Sequence, residues 1–221
     1  MTSSNIMVIG GGISGIEASL TLADQGYKVL LVEQSSSVGG RMAQLDKTFP
    51  TLDCSICILA PKMVESSRHP NIELLAYSEV QEVNGVAGDF KVKILKKAKY
   101  VNWNACTGCG ACSEKCPMKK IPNEFEEGMG NRQAIYIPFP QAVPRKAVID
   151  AKKCLFLTKN ACKLCEKECE AGAINWDDKD EILEYNVASI IVATGFDQLD
   201  PSVLDRYHYG EYPNVITAMR P

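Results

Sequence analysis

Apolar and polar positions follow two regimes along this chain, with a patternless stretch between them. Ile6 to Ile9 is a short apolar run of buried-strand length, and a helix follows through about Gln25, where Gly26 is placed to cap it. Tyr27 to Val32 is a second apolar strand with Glu33 at its end. From Asn71 the chain turns strand-rich: Ile72 to Tyr77, then Val80 to Val83, with a turn expected at Asn84-Gly85. Phe90 to Leu95 alternates apolar residues with Lys91 and Lys93, and Glu181 to Val187 resumes that alternation. Ser189 to Val192 is a last buried strand, ending in Ala193-Thr194-Gly195. The stretch between the two alternating runs lacks either period, and Ile121 to Pro144 is proline-rich and too long for an ordinary connection.

These patterns predict an α/β chain: a Rossmann-like nucleotide-binding host with a small antiparallel layer and an α+β piece lodged inside it. The piece starts after one strand of that layer and ends before the next, because an insertion must leave and rejoin its host at neighbouring points. The expected boundaries are 1–99 for the first part of the host, 100–176 for the insert and 177–221 for the rest.

Composition narrows the partners. The chain has 221 residues, 46% of them hydrophobic, and a formal charge of −3, so Lys and Arg are not in the excess that nucleic acid demands. No apolar segment is long enough to span a bilayer, and Met-Thr-Ser-Ser-Asn leads straight into a strand without a basic leader. A soluble, cytoplasmic protein is expected. The run Lys91, Lys93, Lys96, Lys97 and Lys99 is read as a solvated strand face, and His69 as a surface residue.

Ten cysteines are present. Cys106, Cys109, Cys112 and Cys116, followed by Pro117, have the C-x2-C-x2-C-x3-C-P spacing that wraps backbone around an iron–sulfur cubane. Cys154, Cys162, Cys165 and Cys169 repeat it with one enlarged gap and with Glu170 in place of proline. Zinc knuckles take cysteines in pairs and leave a third close one idle, and a disulfide framework needs an oxidising compartment. Two [4Fe-4S] clusters are therefore expected. In two-cluster modules the fourth cysteine of each group serves the other cluster, which assigns Cys106, Cys109, Cys112 and Cys169 to one site and Cys154, Cys162, Cys165 and Cys116 to the other. Two such cubanes at about −2 each bring the total charge to roughly −7.

Gly10-Gly11-Gly12-Ile13-Ser14-Gly15 is a G-x-G-x-x-G between a strand and a helix, with Glu33 eighteen residues beyond Gly15. Gly10 permits the turn, Gly12 admits a pyrophosphate, Gly15 packs helix on strand, and Glu33 accepts from a ribose. Ser14, Gly40, Arg41, Val80, Ala193, Thr194 and Gly195 complete the expected dinucleotide contacts. The paired glycines and Arg41 favour FAD over NAD, and no second G-x-G-x-x-G is present for NAD(P)H. Cys54 and Cys57 form a separate C-x2-C with three open readings: a redox dithiol beside the flavin, half of a third metal site shared with another chain, or buried thiols. With Lys47, which could set a positive charge near reduced flavin, they are the catalytic candidates.

The chain resembles the A-type subunit of heterodisulfide reductase, an iron–sulfur flavoprotein. The resemblance rests on G-G-G-I-S-G-I-E-A at Gly10 to Ala18, G-G-R-M at Gly39 to Met42, and L-D-K-T-F-P-T-L-D-C-S-I-C-I-L at Leu45 to Leu59. It continues in I-P-F-P-Q-A-V-P at Ile137 to Pro144, I-I-V-A-T-G-F-D at Ile190 to Asp197 and Y-P-N-V-I-T at Tyr212 to Thr217. It implies a thioredoxin-reductase-like FAD domain, incomplete here, with an inserted two-cluster bacterial-type ferredoxin domain. It also implies electron bifurcation from flavin to ferredoxin and to the CoM-S-S-CoB heterodisulfide, in a complex with other heterodisulfide reductase subunits and a hydrogenase or formate dehydrogenase module. Flavin subunits of the quinone-interacting membrane-bound oxidoreductase complex are similar. The resemblance makes the chain one half of a split protein or a fragment, with FAD binding completed by the missing half or a second chain. A non-catalytic electron-transfer and docking subunit is the alternative.

Overall fold

The computed structural model describes residues 5–219. Its first layer is a four-stranded parallel sheet of β1 (Asn5–Ile9), β2 (Lys28–Glu33), β3 (Ile72–Ala76) and β11 (Ser189–Val192), in the order β11-β1-β2-β3. Helix α1 (Ile13–Asp24) joins β1 to β2, and α2 (Ser55–Arg68) joins β2 to β3. Parallel neighbours need such crossovers, and both helices bury an apolar stripe on the same side of the sheet. There Ile16, Leu20, Leu59 and Met63 meet Val8, Val29 and Leu31. Gly26 ends α1 at φ +91, with Gly26 N–H donating to the Ala23 carbonyl and Tyr27 N–H to that of Leu22. That pair of bonds satisfies carbonyls the helix leaves open.

The opposite face of the sheet is covered by three antiparallel strands, β4 (Ser78–Val86), β5 (Asp89–Lys96) and β10 (Glu181–Val187), in the order β10-β5-β4. Met7, Leu30 and Val32 from the parallel sheet pack on Val92, Ile94 and Val187 from this layer. The β4–β5 turn is at Ala87-Gly88, not at Asn84-Gly85: Val86 still pairs with Asp89, and Gly88 carries the positive φ, +97. The lysine run is also less free than expected, since Lys93 pairs with Glu82, Lys96 with Glu181 and Lys97 with Glu79 on neighbouring strands. His69 is half-buried, and its Nδ1 accepts from the Asn71 amide.

The cysteine-rich segment leaves β5 at Lys96 and returns to β10 at Glu181, two residues that face each other in the ladder. Asp178 and Asp180 fasten the two crossings together. Asp178 Oδ2 accepts from the amides of Lys99 (2.8 Å) and Tyr100 (3.0 Å), and Asp180 Oδ1 from that of Ala98 (2.7 Å). Within the segment lie the short helices α3 (Ala111–Glu114), α4 (Leu155–Lys159) and α5 (Leu164–Lys167). The pairs β6 (Ile121–Pro122) with β7 (Asn131–Arg132) and β8 (Ile135–Tyr136) with β9 (Val148–Ile149) complete it. Its core gathers Val101, Ile135, Ala147, Ile149 and Ala173 around cysteines from both groups.

Two elements escaped the sequence reading. Helix α2 buries Ser55, Leu59, Met63 and Ser66, spaced four, four and three, but Pro61 inside it masks the period. The long stretch Ile121 to Pro144 is not a free loop. Phe139 and Ala142 enter the core of the parallel-sheet layer, and Phe125 stacks on Phe139 with ring centroids 4.4 Å apart.

Candidate flavin and iron–sulfur sites

The glycine loop sits where β1 ends and α1 begins. Gly10 has φ +106, and a Cβ there would lie 2.3 Å from the Ala193 carbonyl oxygen, so only glycine lets β1 turn beneath the end of β11. A Cβ on Gly15 would fall 1.9 Å from the Gly10 carbonyl oxygen. At Gly12 the case differs: its nearest outside neighbour is Gly40 Cα, 3.9 Å from the position a Cβ would take. The space left there suits a phosphate approaching main-chain N–H groups at a helix start. Ser14 is exposed in the first turn of α1.

The second glycine turn is locked to the first. Gly39 N–H donates to the Gly11 carbonyl at 2.7 Å, and Gly12 bridges Gly39. Glu33 is buried at the end of β2, where Oε2 accepts from Gly11 N–H (2.6 Å) and Oε1 from Ser35 N–H (2.7 Å). Its carboxylate thus shapes the loops, leaving one lone pair on each oxygen for a further donor. Arg41 reaches into the inserted segment, pairing with Glu127 and donating to Gln44 Oε1 at 3.0 Å. Val80 lies in β4 and packs into the core between the two layers. Ala193 N–H donates to the Ile9 carbonyl at 2.8 Å, with Thr194 and Gly195 exposed beyond it. Lys47 is exposed in the loop before α2.

The eight cysteines of the two groups form no disulfide. Cys116, Cys154, Cys162 and Cys165 line one cavity, walled by Ile135, Ile149, Phe156 and Trp176. Burial first, and then the neighbouring Cys106, Cys109 and Cys169, push the Cys112 thiol up to about 11. The Cys165 thiol rises to about 12, again through burial and then Cys154, Cys112 and Cys116. The fold therefore brings the fourth cysteine of each group to the first three of the other. Among the described residues no three His, Cys, Asp or Glu side chains converge on a point suited to one metal ion. Two thiol quartets around a space are a different donor set. Thiolates gathered this closely would repel one another unless a metal core compensated them, so the donor set fits an iron–sulfur cluster, whose binding would drive their deprotonation.

The enlarged gap after Cys154 has a structural explanation. Cys154 starts α4, Asn160 closes that helix at φ +51, and Cys162 then sits at φ +86, so the extra residues are spent on a helical turn. Cys109 and Cys162, second in their groups, are the two exposed thiols. One backbone donor aims at the site, Ala173 N–H at 3.3 Å from Cys169 Sγ, and the Lys146 side chain fixes the first cysteine loop by donating to the Cys106 carbonyl.

Cys54 and Cys57 lie apart from both quartets. They are exposed and disulfide-bonded to each other at the N-terminus of α2, which overturns the buried-thiol reading. Sequence reasoning also missed the residues that bind the insert to the nucleotide loops. Ser37 Oγ accepts from Val143 N–H at 2.8 Å, Val38 N–H donates to the Val143 carbonyl at 2.9 Å, and Gln44 Nε2 donates to the Phe125 carbonyl at 2.9 Å. The repeated prolines between Ile137 and Pro144 are the one local sign of such an ordered, extended segment.

A model of FAD dependent oxidoreductases matches residues 5–108, and one of the 4Fe-4S binding domain matches residues 99–119. The chain is 54% identical over 213 residues to the A-type subunit of the H(2):CoB-CoM heterodisulfide,ferredoxin reductase of Methanothermobacter marburgensis, covering 96% of this chain and 31% of that protein. It is 58% identical over 213 residues to an A-type iron-sulfur subunit of the CoB--CoM heterodisulfide reductase of Methanopyrus kandleri, covering 96% of this chain and 32% of that one. For a protein of Archaeoglobus profundus that is itself described as like the heterodisulfide reductase A-type subunit, the figures are 50% over 241 residues, 99% and 34%. The chain spans about a third of the length of the curated relatives it matches. With an FAD-oxidoreductase segment joined to a 4Fe-4S-binding one, the chain is a homologue of that third of the heterodisulfide reductase A-type subunit.

Proposed function

We propose that this chain is the flavin- and cluster-bearing part of an oxidoreductase subunit in a heterodisulfide (CoM-S-S-CoB) reductase complex. It moves electrons between FAD and two [4Fe-4S] clusters, in flavin-based bifurcation toward ferredoxin and heterodisulfide. Residues 1–99 and 177–221 form the flavin host, and 100–176 the ferredoxin-like insert. One observation supports this reading: Phe139 of the insert is buried in the host core with Val143 packed against it and hydrogen-bonded to Val38, and Ile137 packs against both that core and the one around the cysteines.

Flavin supplies two-electron chemistry and cubanes one-electron steps, which is the exchange such a chain performs when loaded. The residues prepare for it in stated ways. Gly12 leaves room for the pyrophosphate, Gly10 and Gly15 let strand and helix close around the loop, and Glu33 holds the Gly11 and Ser35 amides with a lone pair left on each oxygen for the ribose. Cys106, Cys109, Cys112 and Cys169 hold one cluster, and Cys116, Cys154, Cys162 and Cys165 the other. Ile149, Phe156 and Trp176 exclude water from the second site. Cys109 and Cys162, the two exposed thiols, would leave each cluster site accessible from the surface a partner protein approaches. No helix among the described residues is long and apolar enough to cross a membrane.

Anaerobic purification of the complex from its native source tests the proposal. About eight iron atoms per chain and flavin bleaching near 450 nm alongside cluster bleaching are expected on reductive titration. A flavin-free complex with the clusters intact would reduce the chain to a docking and relay role.

A further inference from the structure

The Cys54–Cys57 pair belongs to neither thiol quartet and lies outside the dinucleotide cradle. We propose that it is a thiol–disulfide exchange site that accepts two electrons and two protons from an external dithiol. Both residues are exposed and bonded to each other, whereas the eight remaining cysteines are free. The pair opens α2, a helix of 14 residues with no acidic side chain in its first turn, and Cys54 makes no capping hydrogen bond that would occupy its sulfur. Positive potential at that helix end stabilises whichever thiolate is released. The loop in front is held by Thr48 N–H to the Asp53 carbonyl (2.9 Å) and Ser55 N–H to that of Asp46 (3.1 Å). The sulfurs are thus presented on a fixed platform. Beside them Phe49 is 92% and Leu52 62% exposed, an apolar rim for the reductant.

The exchange balances as follows. A thiolate of the dithiol attacks one Sγ, forming a mixed disulfide as the Cys54–Cys57 bond breaks, and the displaced thiolate takes up the proton that the first thiol lost. The second thiol attacks the mixed disulfide, leaving as an oxidised disulfide, and its proton ends on the other cysteine. The remote end of the same helix touches the flavin cradle, since Met63 Sδ would lie 3.4 Å from a Cβ on Gly39.

The site stands independently of the flavin and cluster assignment, and its test reads thiols, not turnover. Anaerobically purified, iron-loaded protein is equilibrated in buffers of reduced and oxidised dithiothreitol, alkylated with iodoacetamide without denaturation, and analysed by peptide mass spectrometry. Cys54 and Cys57 should become labelled together, both or neither on each chain, while iron per chain stays constant. A parallel arm replaces dithiothreitol with reduced thioredoxin at equal thiol concentration. Reduction about tenfold faster marks a protein dithiol as the natural reductant, and equal rates mark a small one. Cys57→Ser should leave Cys54 reacting with 5,5′-dithiobis(2-nitrobenzoate) about tenfold faster than a free cysteine at pH 7. Labelling only after denaturation overturns the proposal, as does inertness to both reductants. Loss of iron in Cys54→Ser and Cys57→Ser would make the pair cluster ligands instead. Should a variant not fold, the wild-type labelling titration decides alone.

Discussion

At the scale of single residues the dinucleotide cradle depends on what is missing from Gly15. A methyl group there would sit 1.9 Å from a backbone oxygen, and α1 could relieve that only by moving off β1. Gly15→Ala should cost about 2 kcal/mol and most of the flavin, measured as thermal stability and flavin per chain in the purified complex. Arg132 does comparable single-residue work inside the cysteine-rich segment. Its guanidinium is buried, donates to Asp150 Oδ2 at 3.0 Å, pairs with Glu124, and lies over the Tyr136 ring at 4.1 Å. The Arg132 hydrogen bonds hold the Glu124 carboxyl below its ordinary range. A carboxylate with a depressed folded pKa stabilises the fold above its unfolded pKa, and that contribution fades as pH falls through the folded value. The melting-temperature gap between wild type and Glu124→Gln should therefore be full at pH 7 and shrink below about pH 4. Because Glu124 is largely exposed, the gap at pH 7 should be a degree or two, on the order of 0.5 kcal/mol.

At the scale of elements, the short helices and turns of the insert exist to aim sulfur atoms. Helices α3, α4 and α5 are each about one turn long, too short to be stable alone, so they rest on the packed core around them. The proposed cross-ligation has a spectroscopic consequence. Cys169→Ser should disturb the same reduced-cluster EPR signal as Cys112→Ser, and Cys116→Ser the same signal as Cys165→Ser. Each variant should lose about four iron atoms per chain. If Cys116→Ser and Cys112→Ser altered one common signal instead, each group would hold its own cluster and the crossed assignment would fall.

Across the whole molecule, the insert behaves as part of the host. Its stem is strapped by Asp178 and Asp180, and its far loop returns to the glycine turns through Ser37, Val143 and Phe139. Phe139→Ala empties a stacked, buried ring position and should cost about 3 kcal/mol. If the loop supports the cradle, that variant also releases flavin faster, although Phe139 belongs to the cluster-bearing segment. Fluorescence of released flavin measures this, and an unchanged rate would separate the two regions. A second whole-molecule feature is the run of exposed apolar residues Val192, Phe196, Leu199, Val203 and Ile216 beyond the glycine loop, on and after the edge strand β11.

Local rules were enough for the chemistry that lives in spacing. A run of cysteines at two- and three-residue intervals, and glycines between a strand and a helix, impose their geometry on a few consecutive residues. The parallel strands were equally legible, because strands covered on both faces read as apolar runs such as Val29 to Val32. Helix α2 was not, since Pro61 contradicts the local rule and only packing of Leu59 and Met63 overrides it. Which carboxylates bind the lysines of β5, and where the proline-rich loop docks, depend on residues about a hundred positions apart in some cases, and no window of sequence contains both. The pairing of Cys54 with Cys57 is local, three residues apart, yet their spacing alone left three readings open, whereas the grouping of Cys116 with Cys154 was already legible in the repeated cysteine spacing. Spacing named the sulfur atoms and their crossed grouping, but the fold decided how deeply each is buried and where the proline-rich loop docks, because burial and hydrogen bonding are settled between distant elements.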